Sequence, residues 1–358
     1  MNLTVKALNR TALLACAPFL GIMLWLMMSD IVIELSDAAF PAAKAEQSML
    51  PEADISPASL GLDRAQETAE QTRESIQKQI KLYNQTNAEM AKISSMAASQ
   101  AMKPLIVYDR NITNKLGKPA ATIESDKLRA QLFYIQAANF KAYALKVKLK
   151  SADAMTMTLG GDALGKAETT LAAASRHGAV AGVNAGGFAD GRGKRYPLGT
   201  TIVDGEYVTA FEAPRDNLFF VGLNDKNELV GGKFPTKGQL DAKKPKFGAT
   251  FVPVLLRGGA PQPIPAKWQN SPKRAPRTVI ANYKDDQLLF LIADGYNESG
   301  SSGATLGEMQ LLLQRYGAVD GYNLDGGGSS SLVFNGKVVN KPSDGQLRKL
   351  PTHFLFFK

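Results

Sequence analysis

The sequence predicts an α+β fold: mixed β-sheets with flanking helices, preceded by an N-terminal transmembrane helix and a long helical stalk. Three observations predict it. An apolar segment runs from Thr11 to Met28 behind Lys6 and Arg10. A Gly- and Pro-free stretch from Asp63 to about Met102 repeats apolar or small residues three or four apart. From Arg277 onward, strand-like apolar runs enclose a helix with recognisable caps.

The apolar segment is close to the ~20 residues that cross a bilayer. Basic residues ahead of it favour a cytoplasmic N-terminus and an outward chain. The expected location is therefore the cell membrane, single-pass, with the globular part outside. A cleaved signal peptide is the competing reading, with Ser36-Asp37-Ala38 as a mediocre cleavage site. The expected division is 1–35 cytoplasmic tip and signal-anchor, 36–102 linker and long amphipathic helix, and 103–358 globular domain. In the helix, Ala65, Ala69, Ile76, Ile80, Tyr83, Met90, Ile93 and Ala97 form the stripe, and Thr72 and Asn87 interrupt it. Its length is on the order of 60 Å at 1.5 Å per residue.

Leu105-Ile-Val-Tyr108 is expected to open the globular part, and Leu132–Leu149 shows strand alternation. Thr169–His177 suits a short helix, followed by the apolar strand Ala179–Val183 and the turn Asn184-Ala-Gly-Gly-Phe188. Phe219–Leu223 and Phe251–Leu256 read as strands. Arg277–Asn282 and Gln287–Ala293 read as two more, the second ending at Asp294-Gly295. A polar loop, Asn297 to Gly303, leads to Thr305-Leu-Gly-Glu308, which has the spacing of a capping box. The helix Leu306–Tyr316 then meets Gly317, a fitting C-cap. The next strand delivers Asp325, and a right-handed crossover brings Asp294 and Asp325 to one sheet edge.

Composition limits the chemistry. Of 358 residues, 44% are hydrophobic and 21% charged, which is ordinary globular material. Cys16 is the single cysteine, and His177 and His353 are the only histidines, so disulfide frameworks and His- or Cys-based zinc sites are excluded. The formal net charge is +9, yet no zinc-finger, basic-zipper or RNP-type motif points to nucleic acid. With an outward-facing chain, the charge suits an anionic envelope polymer. No cofactor and no metal are called for. Placing Gly326 at the glycine position of a calcium loop would make Gly321 the first ligand and Leu332 the last, neither with a carboxylate. Asp325-Gly-Gly-Gly-Ser-Ser-Ser331 also lacks the Gly-Lys-Ser/Thr ending of a nucleotide loop. Gly326, Gly327, Gly328, Ser329 and Ser330 can instead turn successive amides toward an anion, or simply turn the chain.

Taken in order, Asn184-Ala-Gly-Gly-Phe188, Pro197-x-Gly199, Arg274-x-Pro-Arg277-Thr278, Asp294-Gly295, Ser302-Gly-Ala-Thr305-x-x-Glu308 and Asn323-Leu-Asp-Gly-Gly-Gly-Ser-Ser330 resemble the phosphodiester glycosidase family. Asn340-x-Pro-Ser343-Asp-Gly and Arg348-x-x-Pro351 extend the resemblance, which covers roughly 130–358. It implies cleavage between a sugar anomeric carbon and a phosphodiester; the basic charge and outward chain suit an envelope glycan or exopolysaccharide as the substrate.

On that reading Asp325 and Asp294 are the leading carboxylates and Glu308 a third. Each also has a structural alternative, as a turn cap or capping-box arm. Arg277 and Arg348 would clamp phosphate, or form surface ion pairs. Asn184 would bind sugar hydroxyls beside Gly186 and Gly187, and Ser329 and Ser330 would donate to phosphate. A non-catalytic module that binds an anionic wall polymer, and a glycan transferase using the same site, are the alternatives.

Overall fold

The computed structural model describes residues 56–215, 217–296 and 302–358. The apolar segment 11–28 lies outside them, as does most of the loop expected after Asp294. Among the described residues no helix is long and apolar enough to cross a membrane. The chain divides into two compact units, Met1–Ala88 and Glu89–Lys358.

In the first unit the described chain is helical, and its side chains are exposed from Leu60 to Ala88. The helix, Ser56–Leu116, runs past residue 102 and includes Pro104 and the Leu105–Tyr108 run expected to open the globular part. Pro104 is exposed, so water can satisfy the carbonyl that loses its partner there. Several threonines fit the helix by donating to the carbonyl four residues back, as Thr68 does to Arg64 O and Thr72 to Thr68 O, both at 2.8 Å. Gly117, at φ 100°, ends it in the left-handed region.

The last turns belong to the second unit. Ile112 and Leu116 are buried, and Asp109 pairs with the buried ammonium of Lys146. Lys146 also donates to Thr113 Oγ1 at 2.9 Å and reaches Gln131 Oε1 at 3.4 Å. Removing one partner of such a pair leaves a buried charge uncompensated. Asp109→Ala is therefore expected to lower stability by about 3 kcal/mol. Adding Lys146→Met to Asp109→Leu should restore most of the loss. Urea unfolding reads both, and an Asp109→Ala chain as stable as the wild type would show that the helix end is held by other contacts.

An eight-stranded sheet forms the backbone of the second unit. Its strands run Ala121–Glu124, Leu128–Gln136, Lys141–Leu149, Leu288–Ala293, Arg277–Asn282, Gly321–Leu324, Val254–Arg257 and Ala260–Pro261 across the sheet. Two five-stranded sheets share one core with it. One contains Phe219–Asn224 and Pro245–Phe251; the other contains Met155–Leu159, Ala181–Asn184, Leu332–Phe334 and Thr352–Phe356. Phe290 of the large sheet meets Phe354 and Phe356 at 6.1 and 5.5 Å between centroids, and Phe354 meets Phe247 at 6.1 Å. These rings link all three sheets, each pair worth ~1 kcal/mol beyond its buried area. The opposite face of the large sheet packs on the helix Leu306–Tyr316 and on Ile112 and Leu116.

Every strand pairing among the described residues is antiparallel, which corrects the expectation of mixed sheets. The strand–helix–strand unit explains the difference. Leu288–Ala293 and Gly321–Leu324 run the same way, but Arg277–Asn282 lies between them and pairs antiparallel with both. The run expected as one strand at 251–256 is split. Pro253, with no amide to donate, separates Pro245–Phe251 from Val254–Arg257, and the two fall in different sheets. The helix Leu306–Tyr316 forms with its capping box intact and Gly317 left-handed at φ 80°.

Candidate active site

The large sheet brings three of the expected residues to one edge. Asp294 and Asp325 each follow the last residue of a strand, and Arg277 opens the strand between them. The register pairs Arg277 with Ala293 and Thr278 with Leu324. Two strand spacings separate the carboxylate-bearing strands, roughly 10 Å.

Beyond Asp325 the chain turns sharply. A Cβ on Gly326 would lie 2.8 Å from Pro276 O, Gly327 adopts φ 59°, and Gly327–Ser329 forms one 3₁₀ turn. Gly327 N–H donates to Pro276 O, Ser329 N–H to Gly326 O and Ser330 N–H to Gly327 O. Three amides of the expected anion cradle are thus engaged by the chain itself. The Gly326 amide and the Ser329 hydroxyl turn to the Asp325 carboxylate.

Asp325 has the most unusual electrostatics at this edge. One flank reaches solvent, but the carboxylate is packed round by protein, and burial lifts its pKa to about 6. The bonds from Ser329 and Gly326 and the charges of Arg348 and Arg195 oppose that rise without cancelling it. Its Oδ2 is buried with no hydrogen-bond partner. Such an atom is costly unless a ligand or water completes it.

Each arginine is held by its own carboxylate. Arg348 donates to Asp344 Oδ2 at 2.7 and 3.0 Å and to Ser329 Oγ at 3.3 Å. Arg195 forks onto Asp190 at 2.7 and 2.9 Å, donates to Lys349 O at 2.6 Å and lies 4.0 Å over the Phe188 ring. Arg195 is not among the residues singled out from the sequence. It rides on a short hairpin, Phe188–Gly191 with Lys194–Pro197, that shows no apolar alternation to announce it. The adjoining Tyr196-Pro-Leu-Gly199 was the available signal.

A buried polar network links Asp325 to Asp294. Asn184 Nδ2 donates to Asp325 O at 2.6 Å, and its Oδ1 accepts from Thr278 Oγ1 and Ser331 N, both at 3.0 Å. Thr278 Oγ1 also lies 3.1 Å from Ser330 Oγ, and Ser330 O accepts from Asn340 Nδ2 at 2.9 Å. The Asn340 side chain in turn bonds to Asp294. Asp294 further accepts from Tyr143 OH and Lys341 N–H, both at 2.9 Å. It is 2% exposed, and burial raises its pKa despite these donors. On the far side, the Ser331 hydroxyl lies 2.6 Å from Thr170, which lies 3.1 Å from His353 Nδ1. His353 is wholly buried, with Nε2 3.2 Å from Leu350 O and its pKa pushed down to about 4. A neutral ring donating from Nε2 satisfies both contacts.

The other expected residues sit as follows. Glu308 takes a bidentate pair from Arg274, at 2.7 and 3.0 Å, and bonds from Thr305 N and Oγ1, which together hold its pKa down. Arg277 is buried and donates to Ala304 O at 3.1 Å and Pro272 O at 2.9 Å, with no carboxylate partner among the described residues. Gly186 and Gly187 allow close approach of protein: added Cβ atoms would meet Ala249 Cβ at 2.6 Å and the Phe251 ring at 2.7 Å. Among the described residues no group of three or more His, Cys, Asp or Glu is placed to hold a metal.

The second unit is thus an antiparallel α+β domain with carboxylates and arginines gathered at one sheet edge. The chain belongs to the phosphodiester glycosidase family, whose model matches residues 177–357. Asn184, Arg195, Arg277, Asp294, Asp325 and Arg348 all fall in that stretch.

Over 184 residues the chain is 28% identical to the SPbeta prophage-derived uncharacterized protein YomE of Bacillus subtilis, a match spanning 50% of this chain and 28% of that one. Over 68 residues it is 40% identical to N-acetylglucosamine-1-phosphodiester alpha-N-acetylglucosaminidase of Mus musculus, spanning 19% of this chain and 13% of the mouse enzyme. The match therefore covers less than a third of either relative. The zebrafish catalytic domain of that same enzyme, auto-inhibited by its pro-peptide, shares the fold with a TM-score of 0.56 at 20% identity, covering 67% of this chain and 87% of that one. A hypothetical protein from Synechocystis does so at 0.54 and 15% identity, covering 67% of this chain and 64% of that one.

Proposed function

We propose that this chain is a membrane-anchored, extracytoplasmic hydrolase that cleaves the bond between a sugar anomeric carbon and a phosphodiester in an envelope glycan. The observation that carries the reading is Asp325: a carboxylate with an unpartnered oxygen, lifted to about 6, under the influence of two arginines.

The chemistry needs little else. The departing group is a phosphate monoester dianion, whose conjugate acid has a pKa of about 6, far below that of an alcohol. It therefore leaves without a proton, and one of the two usual glycosidase carboxylates becomes dispensable. Asp294 and Glu308 already have their oxygens occupied by Tyr143, Lys341, Asn340, Arg274 and Thr305, which leaves Asp325 with the free acceptor. In the proposed step the anomeric C–O bond breaks, and its electron pair leaves on the phosphate oxygen. Arg348 and Arg195 stabilise the anion. Water adds to the carbon and gives its proton to Asp325, whose pKa near 6 suits a base working close to neutrality.

The test is to incubate the full chain with a panel of sugar-1-phosphodiesters in H₂¹⁸O. Free reducing sugar carrying the label, with unlabelled phosphomonoester, is the expected result. Label in the phosphate would mean cleavage on the phosphorus side and would overturn the assignment, as would no product from any substrate. On intact cells, added protease should digest the domain while residues 1–35 stay with the membrane; a protected domain would remove the outward orientation.

A further inference from the structure

Beside Asp325 the fold draws together three segments: 160–168, the hairpin 188–197, and 341–351. Arg195 N–H donates to Gly165 O, Arg195 Nη1 to Lys349 O, and Glu168 and Leu350 bond reciprocally. These segments carry seven cations, Lys166, Arg192, Lys194, Arg195, Lys341, Arg348 and Lys349, against four anions, Asp162, Glu168, Asp190 and Asp344. All four anions are engaged by arginine: Asp162 and Glu168 by Arg176, Asp190 by Arg195, Asp344 by Arg348. Lys166, Arg192, Lys194 and Lys349 are exposed and have no ion-pair partner among the described residues.

These cations are placed by the fold. The Lys194 stem lies where a Cβ on Gly165 would be 3.1 Å away, and the Lys166 stem 3.2 Å from the same position on Gly161. Arg192 sits at the hairpin tip with φ 52°, a left-handed position that glycine or asparagine fills at lower cost. Holding arginine there costs about 1 kcal/mol and gains a charge at the rim.

From this collar we infer that the protein has an outer subsite for further phosphates of the same chain, so that its ligand is a polymer of repeated phosphodiester-linked sugars or polyols. The inference rests on the proposed reading of the Asp325 site, because Lys194 and Lys349 are the chain neighbours of Arg195 and Arg348, whose charges act on Asp325. Nucleic acid is the less suitable polyanion. The collar's rings are Phe188, covered by Arg195, and Tyr196, packed against the Gly165 position, so no open face is offered for base stacking.

Two measurements on the full chain separate this from the hydrolase reading. The first is binding to a chain-length series of poly(glycerol phosphate), which requires no turnover. The second is kcat/KM on a single sugar-1-phosphodiester. Lys194→Glu with Lys349→Glu should weaken binding of the long polymer about tenfold or more and flatten its salt dependence, while kcat/KM on the small diester stays within about twofold. Lys194→Arg with Lys349→Arg should keep the wild-type affinity. Unchanged polymer binding in the Glu variant overturns the subsite, and so does single-stranded DNA binding as tightly as the glycan polymer. Collar-dependent binding without any cleavage leaves the subsite standing and removes the hydrolase.

Discussion

Asp325→Asn is expected to lower turnover of a sugar-1-phosphodiester by about 10³-fold, because, of Asp294, Glu308 and Asp325, it removes the carboxylate whose oxygen is buried without a partner. The same change should alter stability in a pH-dependent way. Asp325 titrates near 6 in the folded chain and near 3.8 when unfolded. Below 3.8 both states hold the proton and there is no penalty. Between 3.8 and 6 the unfolded chain gives up its proton first, so folding stability falls as pH rises; above 6 the full cost of the buried charge remains. Two units correspond to roughly 3 kcal/mol at most. The asparagine amide, lacking an acceptor where Oδ2 now sits, offsets part of the gain. Thermal melts of both proteins from pH 4 to 8 should therefore converge at the acid end and diverge in favour of the variant above pH 6. The rate profile of the wild type should rise through the same pH, since the base must be ionised. Activity within tenfold of wild type would take Asp325 out of the mechanism.

Gly328→Ala is the second large effect. A Cβ there would lie 2.1 Å from Arg348 Nη2 and 2.2 and 2.3 Å from the Asp344 carboxylate oxygens. No real contact is that short, so the pair must move. Both groups are the ends of flexible side chains four residues apart on the surface, where an ion pair is worth ~0.5 kcal/mol, and the fold should survive. Arg348, however, would leave Asp325. Loss of one guanidinium facing a departing phosphate should cost about 10²-fold in turnover. Arg348 also holds the Asp325 pKa down, so its displacement should shift the acid limb of the rate profile to higher pH. Arg348→Ala should reproduce both effects, and combining the two changes should add little. A Gly328→Ala enzyme with wild-type rate and profile would separate Arg348 from the chemistry.

Much of the edge was legible in the residues because local rules agree there. Thr305 and Glu308 cap a helix that Gly317 ends, the strands on either side are strongly apolar, and their order places Asp294 and Asp325 at one edge. Other features depended on long-range packing. The apolar run at Leu105–Val107 reads as the opening of the globular part, yet it is helical, and Ile112, Leu116 and the Asp109–Lys146 pair bind the helix end to the sheet. Gly186 and Gly187 read as room for a substrate, but the groups that approach them, Ala249 and Phe251, are protein and come from a distant strand. Likewise Asn184 reads as a polar group free for a sugar, whereas Thr278, Ser331 and Asp325 engage its amide. Arg195 acquires its place from a hairpin whose partner, Lys349, lies far along the chain.

The strand Thr352–Phe356 lies between Met155–Leu159 and Ala181–Asn184 and bonds to both. Its two neighbours are made long before it, and each must wait with a bare edge until nearly the whole domain has emerged. Zipping of this sheet is thus a late event in the life of the chain. A ribosome that stalls short of Thr352 would leave an open, adhesive half-sandwich in place of a closed one.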